Sequence, residues 1–195
     1  MTRIIAGSAG SLSLAVPRSG TRPTSDRVRE AIFSALESRD AIDGAAVLDL
    51  YAGSGALGLE AASRGAAEVV LVERAKPAAE VCRRNTDAVT RALRGNRVRV
   101  RVAVRSVAAY LESASGTFDL VFIDPPYELG ERALAHDLML LAPLLSPDAI
   151  VVVERSSRSP EPIWPAGIAP ERRRDYGETT LWWAGAQPAR PSQPE

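Results

Sequence analysis

The sequence has few residues of the kinds that bind metals or form disulfides. Its 195 residues include one cysteine, Cys82, and one histidine, His136. A single cysteine cannot form an intramolecular disulfide, and a zinc site needs several Cys or His ligands. No apolar run approaches the roughly 18–20 residues that cross a bilayer, and the first residues, MTRIIAGSAG, lack the pattern of a signal peptide. We therefore expect a cytoplasmic protein with no metal site and no membrane contact.

Charge is balanced over the whole chain but not along it. The 24 Lys and Arg residues equal the 24 Asp and Glu residues, which argues against a protein that binds nucleic acid with its entire surface. Residues 1–39, however, contain six arginines and three acidic residues, a net charge of +3. Lys76 is the only lysine. Arginine suits bidentate contacts to phosphate, although a GC-rich coding sequence gives the same bias.

Hydrophobic periodicity divides the chain into three segments. Residues 1–40 predict an extension made of a β-hairpin, 3–7 with 12–16, and a helix that begins near Thr24 or Ser25. Residues 41–185 alternate between strands and helices, which is typical of an α/β domain. Residues 186–195 have the Pro, Gln and Ser bias of a disordered tail. We therefore predict a mostly parallel sheet with helices on both faces, preceded by a small hairpin-helix extension.

Seven strands are predicted in the α/β domain. Six are well marked, at 46–51, 68–73, 98–104, 118–124, 149–154 and 179–183, and a weaker one is predicted near Ile163 and Trp164. Helices are predicted after the first strand and at 77–93, 107–111 and 130–145. In such a sheet, ligands bind at the carboxyl ends of the strands, so the residues that follow each strand are the candidates for function.

A glycine-rich loop follows the first strand, in the segment DLYAGSGALG at 49–58. Gly53 and Gly55 allow a tight turn close to a ligand, and Gly58 allows the next helix to pack closely on the strand. Such a loop alone fits NAD-dependent enzymes equally well. The carboxylate of Asp49 would repel a pyrophosphate, whereas it tolerates the cationic amino-acid end of S-adenosylmethionine. The loop together with Asp49 therefore favours S-adenosylmethionine over NAD.

An acidic residue ends the second strand. Glu73 lies 20 residues after Gly53, the place from which a carboxylate can accept hydrogen bonds from both ribose hydroxyls of an adenosine. This residue supports a nucleoside cofactor without choosing between NAD and S-adenosylmethionine.

The fourth strand ends in Asp124-Pro125-Pro126-Tyr127. Two prolines stiffen the turn and leave the Pro125 carbonyl free of sheet hydrogen bonds. That carbonyl and the Asp124 carboxylate can accept both N–H bonds of an exocyclic amine, while Tyr127 stacks on the base. Transfer of a methyl group to such an amine then depends on positioning and electrostatics. This motif therefore favours an amino-methyltransferase that acts on a nucleobase.

Together, these motifs resemble the Rossmann-like class I methyltransferases that use S-adenosylmethionine, and among them the RsmD family, which methylates the N2 amine of a guanine in 16S ribosomal RNA. The resemblance includes RIIAG at 3–7, TRPTSDRVREAIF at 21–33, the glycine loop, DPPY, and YGET at 176–179. It implies a sheet order of 3-2-1-4-5-7-6 with an antiparallel seventh strand.

The resemblance also implies the residues of the site. Those implied for the cofactor are Asp49, Tyr51, Gly53, Ser54, Gly55, Leu57, Glu73, Arg74, Ser106, Val107 and Asp124, and those implied for RNA are Arg3, Arg22, Thr24 and Arg27. Two departures from the family pattern are evident. The 8–11 loop lacks the usual basic residues, and Ser106 stands where Asp or Asn often binds the adenine amine. The expected partner is 16S rRNA within a 30S subunit or an assembly intermediate, and the expected state is a monomer.

Three alternatives stay open at this point. The first is methylation of adenine N6 or cytosine N4, since DPPY serves those amines too. The second is an NAD-dependent oxidoreductase, for which no Tyr-x-x-x-Lys pair is present. The third is a non-catalytic RNA-binding assembly factor that keeps the cofactor fold.

Overall fold

A computed structural model describes residues 2–17, 25–95 and 97–187. A hairpin of two short strands comes first, β1 (Thr2–Arg3) with β2 (Ser13–Leu14). The strands of the main sheet are β3 (Ala46–Leu50), β4 (Glu68–Val72), β5 (Arg99–Ala103), β6 (Phe118–Ile123), β7 (Leu145–Ser156), β8 (Ile168–Tyr176) and β9 (Thr179–Ala186). The helices are α1 (Asp26–Glu37), α2 (Ala56–Ser63), α3 (Lys76–Ala92), α4 (Val107–Leu111) and α5 (Glu131–Leu141).

The main sheet has the order β5-β4-β3-β6-β7-β9-β8. Counted from β3, this is 3-2-1-4-5-7-6, and β9 runs antiparallel to both of its neighbours. The predicted fold and strand order are therefore confirmed. The central strands β3, β4 and β6 are nearly continuous apolar runs because helices cover both of their faces. The edge strand β5 alternates Arg with Val because it is only partly covered.

The sixth strand of the sheet corrects the sequence prediction. Ile163 and Trp164 lie in a loop, and the strand is β8, which begins at Ile168. Its polar run, ERRRDY, resembles a loop in sequence because this edge strand is mostly solvent-exposed. The guanidinium groups of Arg172 and Arg173 lie 5.2 Å from the ring centres of Trp183 and Trp182, on opposite faces of the sheet. The arginine stems therefore cover apolar surface that aliphatic residues would otherwise cover.

The next difference concerns the segment between α5 and β7. The predicted helix over 130–145 ends at Leu141, and a single 3-10 turn, Ala142–Leu144, leads directly into β7. The strand consequently begins at Leu145, four residues before its predicted start. Pro143 ends the α-helix because its ring cannot continue the hydrogen-bonding pattern.

The sheet separates two apolar cores. One contains residues of α1, α2 and α3, and the other contains residues of α4 and α5. Because side chains alternate along a strand, Trp183 packs in the first core and Trp182 in the second. The N-terminal hairpin and α1 pack in the first core, where the rings of Phe33 and Phe122 lie 5.6 Å apart.

A buried carboxylate joins the hairpin to α2. Glu60 is fully buried and accepts hydrogen bonds from the backbone N–H groups of Ile5, at 2.7 Å, and Ala6, at 3.0 Å. Arg29 is also fully buried and donates to the carbonyl oxygen of Arg3 and to Asp26, at 2.7 Å each. The extension is thereby attached to the helix that follows the glycine loop.

Candidate active site

The carboxyl ends of the central strands open into one cleft of about 900 Å³, a size within the range of small-molecule sites. Its walls come from the glycine loop, the DPPY segment, the ends of β4 and β7, and residues 16–17 after the hairpin. β3 has β4 on one side and β6 on the other, so the cleft lies at the point where the strand order reverses, as is typical of ligand sites in open α/β sheets.

The glycine loop needs its glycines for conformation and for packing. Gly53 and Gly55 have φ angles of 55° and 79°, in the left-handed region that glycine adopts most easily. A Cβ on Gly58 would lie 2.3 Å from Cδ2 of Leu71, so only glycine lets α2 approach β4 this closely. Tyr51 also has a positive φ, 62°, which places backbone strain at the entrance of the loop.

Asp49 is buried beneath this loop, with only 1% of its surface exposed. Its carboxylate accepts a hydrogen bond from the Gly58 N–H at 2.9 Å. Burial raises the pKa of Asp49 to about 7, against the effect of the Gly58 hydrogen bond, and the negative charges of Asp124 and Glu73 raise it further. The negative charges of three carboxylates thus lie at one cleft. A cationic ligand bound there would lower the free energy of ionising Asp49.

Glu73 is oriented by the backbone on both sides. One carboxylate oxygen accepts from the Gly53 N–H at 3.0 Å and the other from the Ala75 N–H at 2.7 Å. An ionised carboxylate has about four acceptor positions, so each oxygen retains capacity for a ribose hydroxyl. This arrangement, with the glycine cradle beside it, fits the adenosine part of a cofactor.

The DPPY segment begins where β6 ends. The Asp124 N–H donates to the Leu50 carbonyl at 3.5 Å, which ties this segment to β3. The Leu129 N–H donates to the Pro126 carbonyl at 2.9 Å and closes a turn, whereas within the described ranges no backbone N–H donates to the Pro125 carbonyl. Tyr127 is 64% exposed, so its ring is available to stack on a flat ligand.

A second cavity of about 240 Å³ adjoins the cleft and shares Tyr51 and Arg74 with it. Ser106 and Val107 line this second cavity and not the main cleft. The Ser106 hydroxyl oxygen accepts from the Ala109 N–H at 3.3 Å and so caps α4. The Tyr51 hydroxyl donates to Asp137, and burial, with this partner, raises the pKa of Tyr51.

Of the predicted cofactor residues, all but Gly55 line one or both of the two adjoining cavities, whereas the two predicted RNA residues that the structure describes do not. Arg3 and Arg27 are exposed and line neither cavity. Arg22 and Thr24 lie outside the described residues. Ser25, next to Thr24, is the residue that caps α1, by accepting from the Val28 N–H.

Sequence reasoning missed Asn85. Its amide donates to the carbonyls of Ala15 and Ser54, and its oxygen accepts from the Ala15 N–H, all at 2.9 Å. Asn85 thus connects α3, the hairpin and the glycine loop. The available signal was an amide on a helix position that periodicity assigns to the buried face, since a buried amide needs hydrogen-bond partners.

Three further wall residues come from the last strands of the sheet. The Arg155 guanidinium donates to the Leu129 carbonyl at 3.1 Å and pairs with Glu131, which attaches the segment after DPPY to β7. Glu154 and Thr179 lie on the same cleft, and the Thr179 hydroxyl donates to the Glu154 carboxylate at 3.5 Å. Thr179 belongs to the YGET motif, for which the sequence alone indicated no role.

Comparison with known proteins identifies the family. The model of the family described as conserved hypothetical protein 95 matches residues 2–184. The chain is 36% identical over 177 residues to ribosomal RNA small subunit methyltransferase D of Escherichia coli K12, which is 90% of this chain and 85% of that protein. The chain belongs to the RsmD family. The solved structure of Escherichia coli YhhF superimposes on this RsmD-family chain with a TM-score of 0.82 and 31% identity, over 96% of this chain and 99% of that one.

Two more distant similarities are informative. Magnesium protoporphyrin IX methyltransferase of Synechocystis, solved with bound S-adenosylmethionine, has a TM-score of 0.64 at 14% identity and covers 83% of this chain and 79% of that one, so it shares the fold alone. A tRNA1(Val) (adenine(37)-N6)-methyltransferase of Shewanella putrefaciens is 32% identical over 97 residues, which is 46% of this chain and 40% of that protein.

Proposed function

We propose that this RsmD-family protein transfers a methyl group from S-adenosylmethionine to the N2 amine of a guanine in the RNA of the small ribosomal subunit. The observation that carries the proposal is the match along 90% of the chain to a ribosomal RNA small subunit methyltransferase, together with the DPPY segment on the wall of a cleft at the sheet's switch point. The short match to an adenine-N6 enzyme supports the amino-methyltransferase chemistry and keeps adenine as the second candidate base.

The cofactor would lie along the ends of β3 and β4. Glu73 would accept hydrogen bonds from the ribose hydroxyls, and the backbone of Gly53–Gly55 would contact the amino-acid part. Asp49 would compensate positive charge nearby, and Arg74, Ser106 and Val107 would border the adenine from the second cavity. When bound, S-adenosylmethionine supplies a methyl group on a positively charged sulfur.

The target base would lie against the DPPY segment. Asp124 and the Pro125 carbonyl would accept the two N2 hydrogens, which favours a pyramidal nitrogen with its lone pair directed at the methyl group. Tyr127 would stack on the base. As the bond from N2 to the methyl carbon forms, the bond from that carbon to sulfur breaks, and N2 loses one proton, for which the Asp124 carboxylate is the adjacent acceptor.

The N-terminal extension would bind the RNA around the target. Arg3 and Arg27 expose their side chains on β1 and α1, and Arg22 and Thr24 belong to the same segment of sequence. The 8–11 loop has a structural role, since the N–H groups of Ser8 and Ala9 donate to Ser63 of α2. We further propose that the substrate is RNA within a 30S subunit or an assembly intermediate, and that the enzyme acts as a monomer.

The test is incubation with tritiated S-adenosylmethionine and 30S particles from a strain that lacks the modification, followed by nucleoside analysis. Label in N2-methylguanosine is expected. Asp124→Ala should abolish transfer while cofactor binding persists. Asp119→Asn is the matched control, because it removes an exposed negative charge from the same strand at a position outside the cleft and keeps an oxygen that can accept the hydrogen bond from the Ala46 N–H.

Other outcomes of the same experiment would refute the proposal. Label in N6-methyladenosine would favour the second candidate, and cofactor binding without label in any nucleoside would favour a non-catalytic assembly factor. Activity retained by Asp124→Ala would refute the mechanism even if the product were N2-methylguanosine.

A further inference from the structure

We propose that Glu154 determines which base is methylated, by accepting a hydrogen bond from the N1–H of guanine. This inference rests on the proposed function and adds a specificity residue to it.

The sheet places Glu154 beside Asp124. β6 and β7 are parallel and in register, with Ile123 opposite Val153, so the next residues, Asp124 and Glu154, are neighbours. Asp124 directly follows β6, and Glu154 lies in β7 two residues before the strand ends. Adjacent strands lie about 4.8 Å apart. Side chains alternate along both strands, and both acidic residues fall on the side of the sheet where Phe122 and Val152 lie. Both also line the main cleft.

The position of Glu154 relative to the other carboxylates separates its role from theirs. Asp49 lies in β3 and Glu73 directly follows β4, on the side of the cleft proposed for the cofactor. Glu154 lies in β7, two residues before the strand ends, on the opposite side of Asp124. A base that presents its amine to Asp124 therefore has a second carboxylate next to it on the side away from the cofactor.

The chemistry of the bases makes this second carboxylate selective. In guanine, two ring nitrogens lie next to the amine: N1 carries a hydrogen and is a donor, and N3 is an acceptor. In adenine the ring nitrogen next to the N6 amine is an acceptor, and in cytosine the ring nitrogen next to the N4 amine is an acceptor too. A carboxylate accepts only, so it binds guanine at this position and is repelled by the lone pair of adenine or cytosine. Recognition of a donor by a charged acceptor is worth about tenfold to a hundredfold in affinity.

Thr179 orients the Glu154 side chain. It lies on β9, opposite Ser156 of β7, and its hydroxyl donates to one carboxylate oxygen of Glu154 at 3.5 Å. An ionised carboxylate can accept about four hydrogen bonds, and the bond from Thr179 takes one of these positions. The arrangement gives the threonine of the YGET motif a role in positioning the specificity residue.

The experiment compares two bases and two proteins. Small-subunit particles are prepared with either guanine or 2-aminopurine at the target position, because 2-aminopurine keeps the N2 amine but has an unprotonated N1. For wild-type protein, kcat/KM should be at least about tenfold higher with guanine than with 2-aminopurine. Glu154→Gln should lower kcat/KM for guanine by about tenfold to a hundredfold and bring the two bases close to equal, since the Gln amide can donate to an unprotonated N1.

The quantity to compare between the two proteins is the ratio of kcat/KM for guanine to kcat/KM for 2-aminopurine, because effects of the other differences between the bases cancel. 2-Aminopurine also lacks O6, but that loss affects both proteins alike, so the change in the ratio reports the contact between residue 154 and N1. Glu161→Gln is the matched control, because Glu161 is exposed, lies outside the cleft and contacts Trp164; it should keep the wild-type ratio. Unchanged S-adenosylmethionine affinity would show that Glu154→Gln is folded.

Two results would overturn the inference while leaving the proposed function intact. One is wild-type protein that forms N2-methylguanosine but methylates both bases equally. The other is a Glu154→Gln protein with the wild-type ratio. Failure of wild-type protein to label guanine at all would instead refute the proposed function, and this inference with it.

Discussion

Replacement of Asp49 by Asn should change how the stability of the cofactor-free protein depends on pH. The pKa of Asp49 is about 7 in the folded protein, against 3.8 for an unperturbed Asp, chiefly because the carboxyl group is buried. Between these two values the folded state holds a proton that the unfolded state has released. The free energy of unfolding therefore falls as pH rises through this window, by about 1.4 kcal/mol per pH unit.

The Asn variant lacks this term because its side chain does not titrate. Its amide oxygen can still accept the hydrogen bond from the Gly58 N–H, so the loop keeps its main contact. From pH 5 to pH 8, the stability of the variant relative to wild type should rise by about 3 kcal/mol, most of it below pH 7. Contributions from ionisable groups that do not interact with Asp49 cancel in this difference.

Urea unfolding followed by circular dichroism at pH 5, 6, 7 and 8 measures the effect. Asp119→Asn is the control, because it removes one negative charge from an exposed site on β6. A second readout is the affinity for S-adenosylmethionine, whose positive charge favours ionised Asp49: affinity should increase from pH 6 to pH 8 in wild type and change less in the variant. Stability curves of wild type and Asp49→Asn that run parallel across this range would refute the reasoning.

Two further replacements test contacts that support the cleft. Asn85→Ala removes three hydrogen bonds to Ala15 and Ser54. The replacement should destabilise the protein by about 2–3 kcal/mol, at roughly 1 kcal/mol for each bond, and weaken cofactor binding. Urea unfolding measures the stability and calorimetric titration the cofactor affinity, and a variant with wild-type stability would contradict the prediction. Arg155→Met breaks the contacts with Leu129 and Glu131 and should lower kcat about tenfold with little change in cofactor affinity, because the DPPY segment loses its attachment to β7. Partial rescue by Arg155→Lys is expected, and a loss confined to thermal stability would show that Arg155 only supports the fold.

The motifs proposed to bind the cofactor and the base were recognisable in the sequence because each is a short local segment at a strand end. The glycine loop needs positive φ angles at Gly53 and Gly55, which few residues other than glycine adopt, so the conformation is written into the residue types. DPPY is recognisable for a similar reason, since two consecutive prolines fix the backbone after β6. The strand and helix order around these segments then identified the fold.

The edge of the sheet was harder to predict. β8 was placed too early because its outward positions carry arginines, and hydrophobic periodicity cannot detect a strand whose apolar cover comes from arginine stems over Trp182 and Trp183. The helix preceding β7 was predicted too long because Ala142 and Leu144 of the 3-10 turn continue the apolar pattern of α5. In both places a local pattern was overridden by packing between elements.

The sequence by itself determined the α/β fold and the candidate residues of the glycine loop and of DPPY, because those depend on periodicity and on motifs of a few consecutive residues, whereas the order of the strands was implied by the resemblance to the RsmD family. Only the tertiary structure decided that Asn85 connects the hairpin to the glycine loop, that Glu154 neighbours Asp124, and that Asp49 is buried with a raised pKa. These properties depend on strand register and on the exclusion of water by residues distant in the chain, and neither is encoded in any single segment.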